Sequence, residues 1–184
     1  MGQKVNPIGL RLALNKNWSS HWFARKDNKN NFGDWLHEDL KIRSYIKKNF
    51  NNAAISKILV ERYGTRVRVT IYAARPGILI GRKGAELDAL KASVSKLLAQ
   101  GEELILDVVE IKQPETNAQL VAESVAQQLE RRIGFRRAMK KAIQVAMELG
   151  AEGIKIHCAG RLGGAELART EQYKEGRVIA TRAA

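Results

Sequence analysis

A basic loop framed by glycines, Ile80-Gly81-Arg82-Lys83-Gly84, constrains the fold of this chain more than any other segment. Apolar residues precede it and an amphipathic helical pattern follows it, so the loop joins two helices. Glycine lacks a Cβ and adopts positive φ readily, which a tight joint between helices needs. The backbone at Gly81 and Gly84 can therefore approach a ligand closely, while Arg82 and Lys83 offer it positive charge.

The loop predicts a site for a nucleic-acid backbone, because N–H groups at the start of a helix point toward anions. A Gly-X-X-Gly loop between two helices is how KH domains clamp single-stranded nucleotides. On this interpretation the two glycines admit the RNA backbone, the two cations neutralise phosphates, and residues 78–80 line an apolar floor under the bases. The alternative is a helix hairpin with a basic loop, since the four-residue motif is not specific by itself.

The charge balance favours a polyanion as the partner. The 184 residues include 32 Lys+Arg and 19 Asp+Glu, giving a net charge of +13 and a pI of about 10.1. Such an excess is typical of nucleic-acid binding and is not needed to act on small molecules. Residues 1–50 hold 10 cations and 4 acids, residues 51–115 hold 10 and 8, and residues 116–184 hold 12 and 7. The nearly balanced middle third is typical of an ordinary folded domain.

Residues 1–35 are predicted to form an extended basic arm, because Pro7, Gly9 and Gly33 interrupt any helical pattern. This arm holds Trp18, Trp22 and Trp35, which we expect to dock on their own domain in preference to stacking on bases.

Residues 36–113 are predicted to form a KH type II domain, with elements in the order helix, strand, strand, helix, loop, helix, strand. Asp34 caps the first helix, and strands follow at residues 55–60 and 66–72, the second with one apolar face. A short helix at residues 78–80, a helix from 85 to about 100 and a strand at 104–111 complete it. The apolar stripe of the first helix comprises Leu36, Leu40, Ile42, Tyr45, Ile46 and Phe50.

Residues 114–184 are predicted to form a second α/β domain, because Pro114 ends the first unit. Apolar periodicity indicates helices at about 117–133 and 135–149, and then a strand at 154–159. We therefore expect two helices packed on a small, incomplete sheet, and an α+β class for the whole chain.

Six cations fall within eleven residues of this second unit: Arg131, Arg132, Arg136, Arg137, Lys140 and Lys141. A solvated helix face is the ordinary explanation of a charge run, but such faces usually interleave acids. Like charges at i and i+4 destabilise an isolated helix by roughly 0.2–0.5 kcal/mol per pair. The cluster therefore favours use against a polyanion.

Catalytic, metal and membrane functions find no support in the sequence. The glycine loop lacks the phosphate-loop spacing, the three histidines are scattered, and no Cys/His set has metal-ligand spacing. Cys158, the single cysteine, excludes an intramolecular disulfide and is predicted to be a small buried strand residue, with His157 on the opposite face. No apolar run approaches the ~20 residues that span a bilayer, and the N-terminus resembles no secretory signal. We predict no active site and no metal site.

Several segments resemble bacterial-type small-subunit ribosomal protein three, over residues 2 to about 178. They are Gly-Gln-Lys-Val-Asn-Pro-Ile-Gly-Leu-Arg at 2–11, Ala-Arg-Pro-Gly-Ile through the glycine loop at 74–84, Gln-Leu-Glu-Arg-Arg at 128–132, Phe-Arg-Arg-Ala-Met-Lys at 135–140, Gly-Arg-Leu-Gly-Gly-Ala-Glu at 160–166 and Ala-Arg-Thr-Glu at 168–171.

The resemblance implies a structural component of the small-subunit head, in a cytoplasmic or an organellar ribosome. It implies small-subunit rRNA, neighbouring head proteins and mRNA as partners, and no membrane, cofactor or small-molecule substrate. Arg136, Arg137 and Lys140 match family positions that face mRNA in the tunnel through which it enters, where they help open structured messages. Lys4 and Arg11, in the N-terminal arm, are also expected to bind RNA.

The family continues after residue 178 with strands that complete the second sheet, whereas this chain stops at Ala184. We therefore expect a truncated or frameshifted second domain, or a partner that covers the exposed edge. The main functional alternative to a ribosomal protein is a KH-type RNA-binding factor acting as a chaperone or regulator off the ribosome, and an enzyme is a distant third.

Overall fold

The computed structural model describes residue 3 and residues 5–24, 32–98 and 101–178. The chain divides into two compact units, with the boundary between Lys112 and Gln113. Both units mix helices and strands, so the predicted α+β class is confirmed.

Within the described residues, the first unit is built on a sheet in the order β1-β2-β3-β4. These strands are Ser20–His21, Ile55–Tyr63, Arg66–Ala73 and Glu103–Glu110. The central pair, β2 and β3, is antiparallel, while β1 runs parallel to β2 and β4 parallel to β3. Alternate residues of β3 are buried, which confirms the predicted apolar face.

Helices cover one face of this sheet. They are α2 (Phe32–Asn49), α3 (Pro76–Ile80) and α4 (Ala85–Ser95), and a 3₁₀ turn spans Arg82–Gly84 between the last two. The element order α2-β2-β3-α3-loop-α4-β4 is that of the predicted KH type II domain, which is confirmed. The core comprises Ile42, Ile46, Ala53, Ile55, Ile58, Val60, Val67, Val69, Ile71, Ala73, Leu79, Leu90, Val94 and Leu104.

The predicted details of the first long helix are partly wrong. It begins at Phe32, so Asp34 lies in its first turn instead of capping it, and Trp35 belongs to the helix and not to the arm. Leu36 and Leu40, predicted to be in the buried stripe, are exposed. The buried stripe is Asp39, Ile42 and Ile46, because Asp39 has a cationic partner on β2 that no local pattern indicates.

The prediction of an extended N-terminal arm is wrong in one part, because α1 (Pro7–Arg11) is helical. The side chain of Asn6 caps this helix by accepting hydrogen bonds from the N–H groups of Ile8 and Gly9, at 2.9 and 3.2 Å. Farther along, β1 adds a parallel edge strand to the sheet, which docks the arm on its own unit.

The second unit contains α5 (Ala118–Glu130), α6 (Phe135–Glu148), β5 (Gly153–Gly160) and β6 (Arg169–Gly176). In the part of the chain that the structure describes, β5 and β6 form an antiparallel two-stranded sheet against which α6 packs. The strand β6 was not predicted, because its sequence, Arg-Thr-Glu-Gln-Tyr-Lys-Glu-Gly, carries too few apolar residues to show alternation.

Among the described residues, no helix is long and apolar enough to cross a membrane.

Candidate nucleic-acid interface

The glycine loop has a backbone that only particular residues tolerate. Gly81 adopts φ 69° and ψ −170°, a region essentially restricted to glycine. A Cβ at Gly81 would also lie 2.8 Å from Cβ of Glu86, at the start of α4. Gly84 has φ 83°, but a Cβ there would meet no atom within 4 Å. The first glycine is therefore required by both conformation and space, and the second by conformation.

The loop cations point away from the core, in the way a phosphate-binding loop requires. Arg82 and Lys83 are exposed, and Lys83 takes the left-handed conformation with φ 53°. A right-handed residue followed by a left-handed one turns successive N–H groups toward one side, an arrangement that binds anions. Glu86 lies in the first turn of α4, so an arriving phosphate meets a carboxylate close to the loop as well as the two cations.

The apolar floor predicted under the bases is only partly present. Ile78 and Ile80 are each 41% exposed and flank the loop, whereas Leu79 is fully buried in the core of the first unit. The three residues cannot share one face, because successive helical positions are about 100° apart. Leu79 is therefore a core residue, and the exposed apolar surface consists of the two isoleucines.

The turn between α5 and α6 holds a cation in an unusual conformation. The N–H of Ile133 donates to the carbonyl of Gln128 at 3.0 Å, and the N–H of Arg132 donates to the carbonyl of Leu129 at 2.9 Å. These two bonds define a Schellman motif, in which glycine normally occupies the left-handed position. Here Arg132 occupies it, with φ 60°. A strained cation that persists in a turn is typical of functional positions.

The predicted basic face of α6 is exposed. Ala138, Met139, Ile143 and Ala146 are buried on one side of this helix. The cations Arg136, Arg137, Lys140 and Lys141 are exposed, and so are Arg131 and Arg132 in the turn before it. The four α6 cations lie on the side of the helix away from its buried residues, and Arg131 and Arg132 precede them in the turn.

The ring of Phe135, at the start of α6, contacts two arginine side chains, and only Arg136 was among the predicted RNA-binding residues. The guanidinium carbon of Arg136 lies 5.6 Å from the centre of the Phe135 ring, and that of Arg169 lies 5.8 Å from it. Arg169 is the first residue of β6, and its side chain is 49% exposed. No local signal could have indicated that Arg169 reaches Phe135, since the two residues are distant in sequence and β6 itself was not predicted.

Lys4 and Arg11 are the two cations predicted to bind RNA from the arm, and the structure describes the second of them. Lys4 lies outside the described residues. Arg11 ends α1 and is half-buried, and its carbonyl accepts hydrogen bonds from the N–H groups of Leu14, Asn15 and Lys16 at 3.0–3.2 Å.

A buried ion-pair network ties the arm to the sheet. Arg62, on β2, has a side chain only 2% exposed, and its Nη2 lies 2.9 Å from the carboxylates of both Glu38 and Asp39. Its Nη1 lies 3.2 Å from Glu102. The other Asp39 oxygen accepts a hydrogen bond from Ser20 Oγ at 2.7 Å. The network holds the arm through charge and hydrogen bonds in addition to the β1 pairing.

His157 and Cys158 are successive residues of β5 and lie on opposite faces of the sheet. Cys158 lies on an apolar cavity of about 480 Å³ between α5 and β5, and it is half-buried where the sequence predicted a buried residue. Burial raises the pKa of this thiol, which keeps it protonated near neutral pH. His157 is exposed on the other face of β5, as predicted. Within the described residues, no group of three or more His, Cys, Asp or Glu side chains could hold a metal ion.

Comparison with protein families matches both units. The KH domain family matches residues 41–116, and the family described as ribosomal protein S3, C-terminal domain, matches residues 125–184.

Individual relatives match nearly the whole chain. The small ribosomal subunit protein uS3 of Beijerinckia indica is 57% identical over 178 residues, which is 97% of this chain and 72% of that protein. The uS3 of Caulobacter vibrioides is 58% identical over 97% of this chain and 69% of its own length. The uS3 of Akkermansia muciniphila is 55% identical over 97% of this chain and 76% of its own length. The resemblance inferred from the sequence motifs is thus confirmed, and the chain belongs to the uS3 family of ribosomal proteins.

Proposed function

We propose that this chain is a structural constituent of the small ribosomal subunit that binds small-subunit rRNA. The observation that carries the proposal is the identity of 57% over 178 residues with a protein named for the small subunit. The net charge of +13 supports it, because rRNA is a polyanion. The finer parts of the proposal are a position in the subunit head, contacts with neighbouring head proteins and no catalytic activity.

The basic face of α6 is the part that we assign to mRNA. It consists of Arg131, Arg132, Arg136, Arg137, Lys140 and Lys141. Cations fixed on a helix neutralise phosphates without reading bases, which suits a surface that must accept every message. We propose that this face binds single-stranded RNA more tightly than duplex RNA, and that this difference in affinity favours the open form of a structured message. This face then lines the tunnel through which mRNA enters.

The glycine loop is the part that we assign to an RNA backbone in the manner of KH domains. A Cβ at Gly84 would meet no atom within 4 Å, so the space beside this glycine is open to an RNA backbone, and the exposed side chains of Arg82 and Lys83 provide charge. Ile78 and Ile80 offer apolar contact beside it. We further propose that Lys4 and Arg11 bind rRNA from the arm, which hydrogen bonds from Ser20 and Trp22 to Asp39 hold against the rest of the first unit.

Sedimentation tests the ribosomal assignment. A tagged form of the chain is expressed in bacterial cells, and the lysate is separated on a sucrose gradient in high salt, which strips proteins held by non-specific charge. We expect the chain in the small-subunit peak, together with a marker protein of that subunit. Migration with unbound protein would contradict the proposal and favour an RNA-binding factor that acts off the ribosome.

The proposed location is the cytoplasmic ribosome of a bacterium, since the three relatives named above are bacterial proteins. An organellar ribosome is the alternative, and the sedimentation experiment distinguishes the two when it is performed in the source organism with separated organelles.

A further inference from the structure

The ring of Phe135 contacts the guanidinium groups of Arg136 and Arg169, which belong to two different elements. Arg136 comes from α6 and Arg169 from β6, and their guanidinium carbons lie 5.6 and 5.8 Å from the ring centre. A guanidinium over an aromatic ring is attracted to the face of the ring. Its N–H groups lie in the guanidinium plane and can still donate hydrogen bonds to another group. The ring therefore fixes the position of a cation from β6 next to the basic face of α6.

We propose that Arg169 is a further RNA-binding residue that contacts a phosphate of single-stranded RNA, and that Phe135 is the residue that positions it. This proposal rests on the assignment of the α6 basic face to RNA. It extends that face from a single helix and its preceding turn onto the sheet. The ligand is the phosphate backbone, because a guanidinium fork matches phosphate oxygens bidentately, whatever the base.

The local charges leave Arg169 able to bind a phosphate. Its Nε lies 3.9 Å from Oε1 of Glu171, and the two side chains are 49% and 30% exposed. An exposed ion pair at this distance is weak, so a phosphate that also contacts Arg136 can displace the carboxylate. Side chains alternate along β6, and Arg169 therefore lies on the face of the sheet shared by Glu171 and Tyr173.

Lys174 provides a matched control on the same strand. It lies on the opposite face of β6, where its register partner on β5 is Lys155, and both lysines are exposed. Replacing Lys174 by alanine removes the same charge from the same strand. A purely long-range effect of charge would therefore be equally large in Arg169→Ala and Lys174→Ala.

The test measures binding of the full chain to a labelled single-stranded oligouridine at several salt concentrations. We expect Arg169→Ala to weaken binding roughly five-fold at low salt and to lower the slope of log K against log salt by about 0.7, the release expected for one phosphate. Lys174→Ala should leave the slope unchanged. Equal effects of the two substitutions would overturn the proposal.

The positioning role of Phe135 is tested by substitutions that keep or remove its aromatic ring. Phe135→Tyr keeps an aromatic face and should bind as the wild type does, while Phe135→Leu keeps apolar bulk and should weaken binding. In the Arg169→Ala background, Phe135→Leu should weaken binding by a smaller factor than in the wild type. If the two factors simply multiply, or if the tyrosine variant binds as poorly as the leucine variant, Phe135 does not position Arg169.

A further variant separates failure of this inference from failure of the proposed function. The double substitution Arg137→Glu with Lys140→Glu reverses two charges of α6. It leaves Arg136 unchanged, because that arginine contacts the Phe135 ring. If this pair flattens the salt slope while Arg169→Ala matches Lys174→Ala, the α6 face binds RNA and the Arg169 inference fails. If neither the pair nor Arg169→Ala changes the slope, the assignment of α6 to RNA fails as well.

Discussion

The indole Nε1 of Trp22 donates a hydrogen bond of 2.8 Å to Oδ2 of Asp39, a carboxylate with no exposed surface. The same oxygen accepts from Ser20 Oγ, and Oδ1 accepts from Arg62 Nη2 at 2.9 Å. The Trp22 ring also meets Trp35 edge-on, with ring centres 5.4 Å apart. The expectation that the arm tryptophans dock on their own domain is therefore met by Trp22 and Trp35, whereas Trp18 is 65% exposed and does not follow it.

Removing the Asp39 carboxylate should be strongly destabilising. Asp39→Ala leaves the buried guanidinium of Arg62 with fewer partners and deprives Trp22 and Ser20 of their acceptor. We expect the free energy of unfolding to fall by about 3 kcal/mol, the scale for breaking a buried pair from one side. Urea denaturation measures it, and protease should cleave the arm faster than in the wild type.

Asp107→Ala is the control for that substitution. Asp107 pairs with Arg68 at 3.4 Å, but both side chains are 49% exposed. An exposed pair contributes less than about 1 kcal/mol. Equal losses for the two substitutions would contradict the larger contribution of the buried pair, and unchanged protease cleavage of the arm in Asp39→Ala would contradict its role as an anchor.

Glu102 should make stability depend on pH in the opposite sense to a typical ion-paired acid. Burial is the main cause that raises its pKa above the ordinary value of 4.5; Arg62 opposes the shift, and Glu38 and Asp39 add to it. A carboxyl with a raised folded pKa binds more protons when folded, so its contribution to stability falls as pH rises from the unfolded pKa through the folded one.

Glu102→Gln isolates this effect because it removes the titrating group and keeps its shape. The free energy of unfolding of wild type minus variant should decrease as pH rises above about 4.5 and become constant above the folded pKa. Urea titrations between about pH 4 and pH 8 measure the difference. A difference that grows with pH would mean that the attraction of Arg62 outweighs burial.

The fold of the first unit was largely predictable, and the buried stripe of α2 shows why one part of it was not. Alternation in β3 and the glycine loop indicate their elements locally, because the signal lies within a few residues. Burial of Asp39 was not predictable, since its partner Arg62 lies 23 positions along the chain. A charged residue is rarely buried without a partner, and the partner here is distant in sequence, so periodicity assigned the stripe to Leu36 and Leu40 instead.

The loop glycines should differ in how much they tolerate alanine. Gly81→Ala meets both the glycine-only backbone region and Glu86, so we expect the free energy of unfolding to fall by about 2 kcal/mol or more. Gly84→Ala meets only the left-handed conformation and should cost about 1 kcal/mol. Thermal or urea unfolding ranks them.

Gly77→Ala serves as the control, because this glycine lies in α3 and an added Cβ would have nothing within 4 Å. Alanine there should be neutral or stabilising by about 0.5–1 kcal/mol. Equal destabilisation at Gly81 and Gly84 would contradict the close approach of Glu86.

Arg132→Gly should raise stability while it lowers RNA affinity. Glycine relieves the left-handed strain in the turn before α6, so the free energy of unfolding should rise by about 1 kcal/mol while RNA binding weakens. Arg131→Gly removes the same charge at φ −77° and should not stabilise the protein. If both variants change stability alike, Arg132 is not strained.

The basic face of α6 was predictable because its cations recur with helical period in one sequence window. The approach of Arg169 to Phe135 was not, since it depends on how β6 folds back against α6. The strained state of Arg132 was equally hidden, because an arginine in a Schellman turn gives none of the signal that glycine gives.

Charge reversal on α6, read through the salt dependence of single-stranded RNA binding, tests the electrostatic function of this chain most directly. Arg136→Glu with Lys140→Glu reverses two cations of the basic face, and Lys155→Glu with Lys174→Glu reverses two exposed cations on β5 and β6. We predict that the α6 pair weakens binding and lowers the slope of log K against log salt by about 0.7 for each phosphate that is no longer neutralised, while the sheet pair leaves the slope unchanged. An unchanged slope for the α6 pair would contradict the electrostatic binding of RNA proposed for this chain.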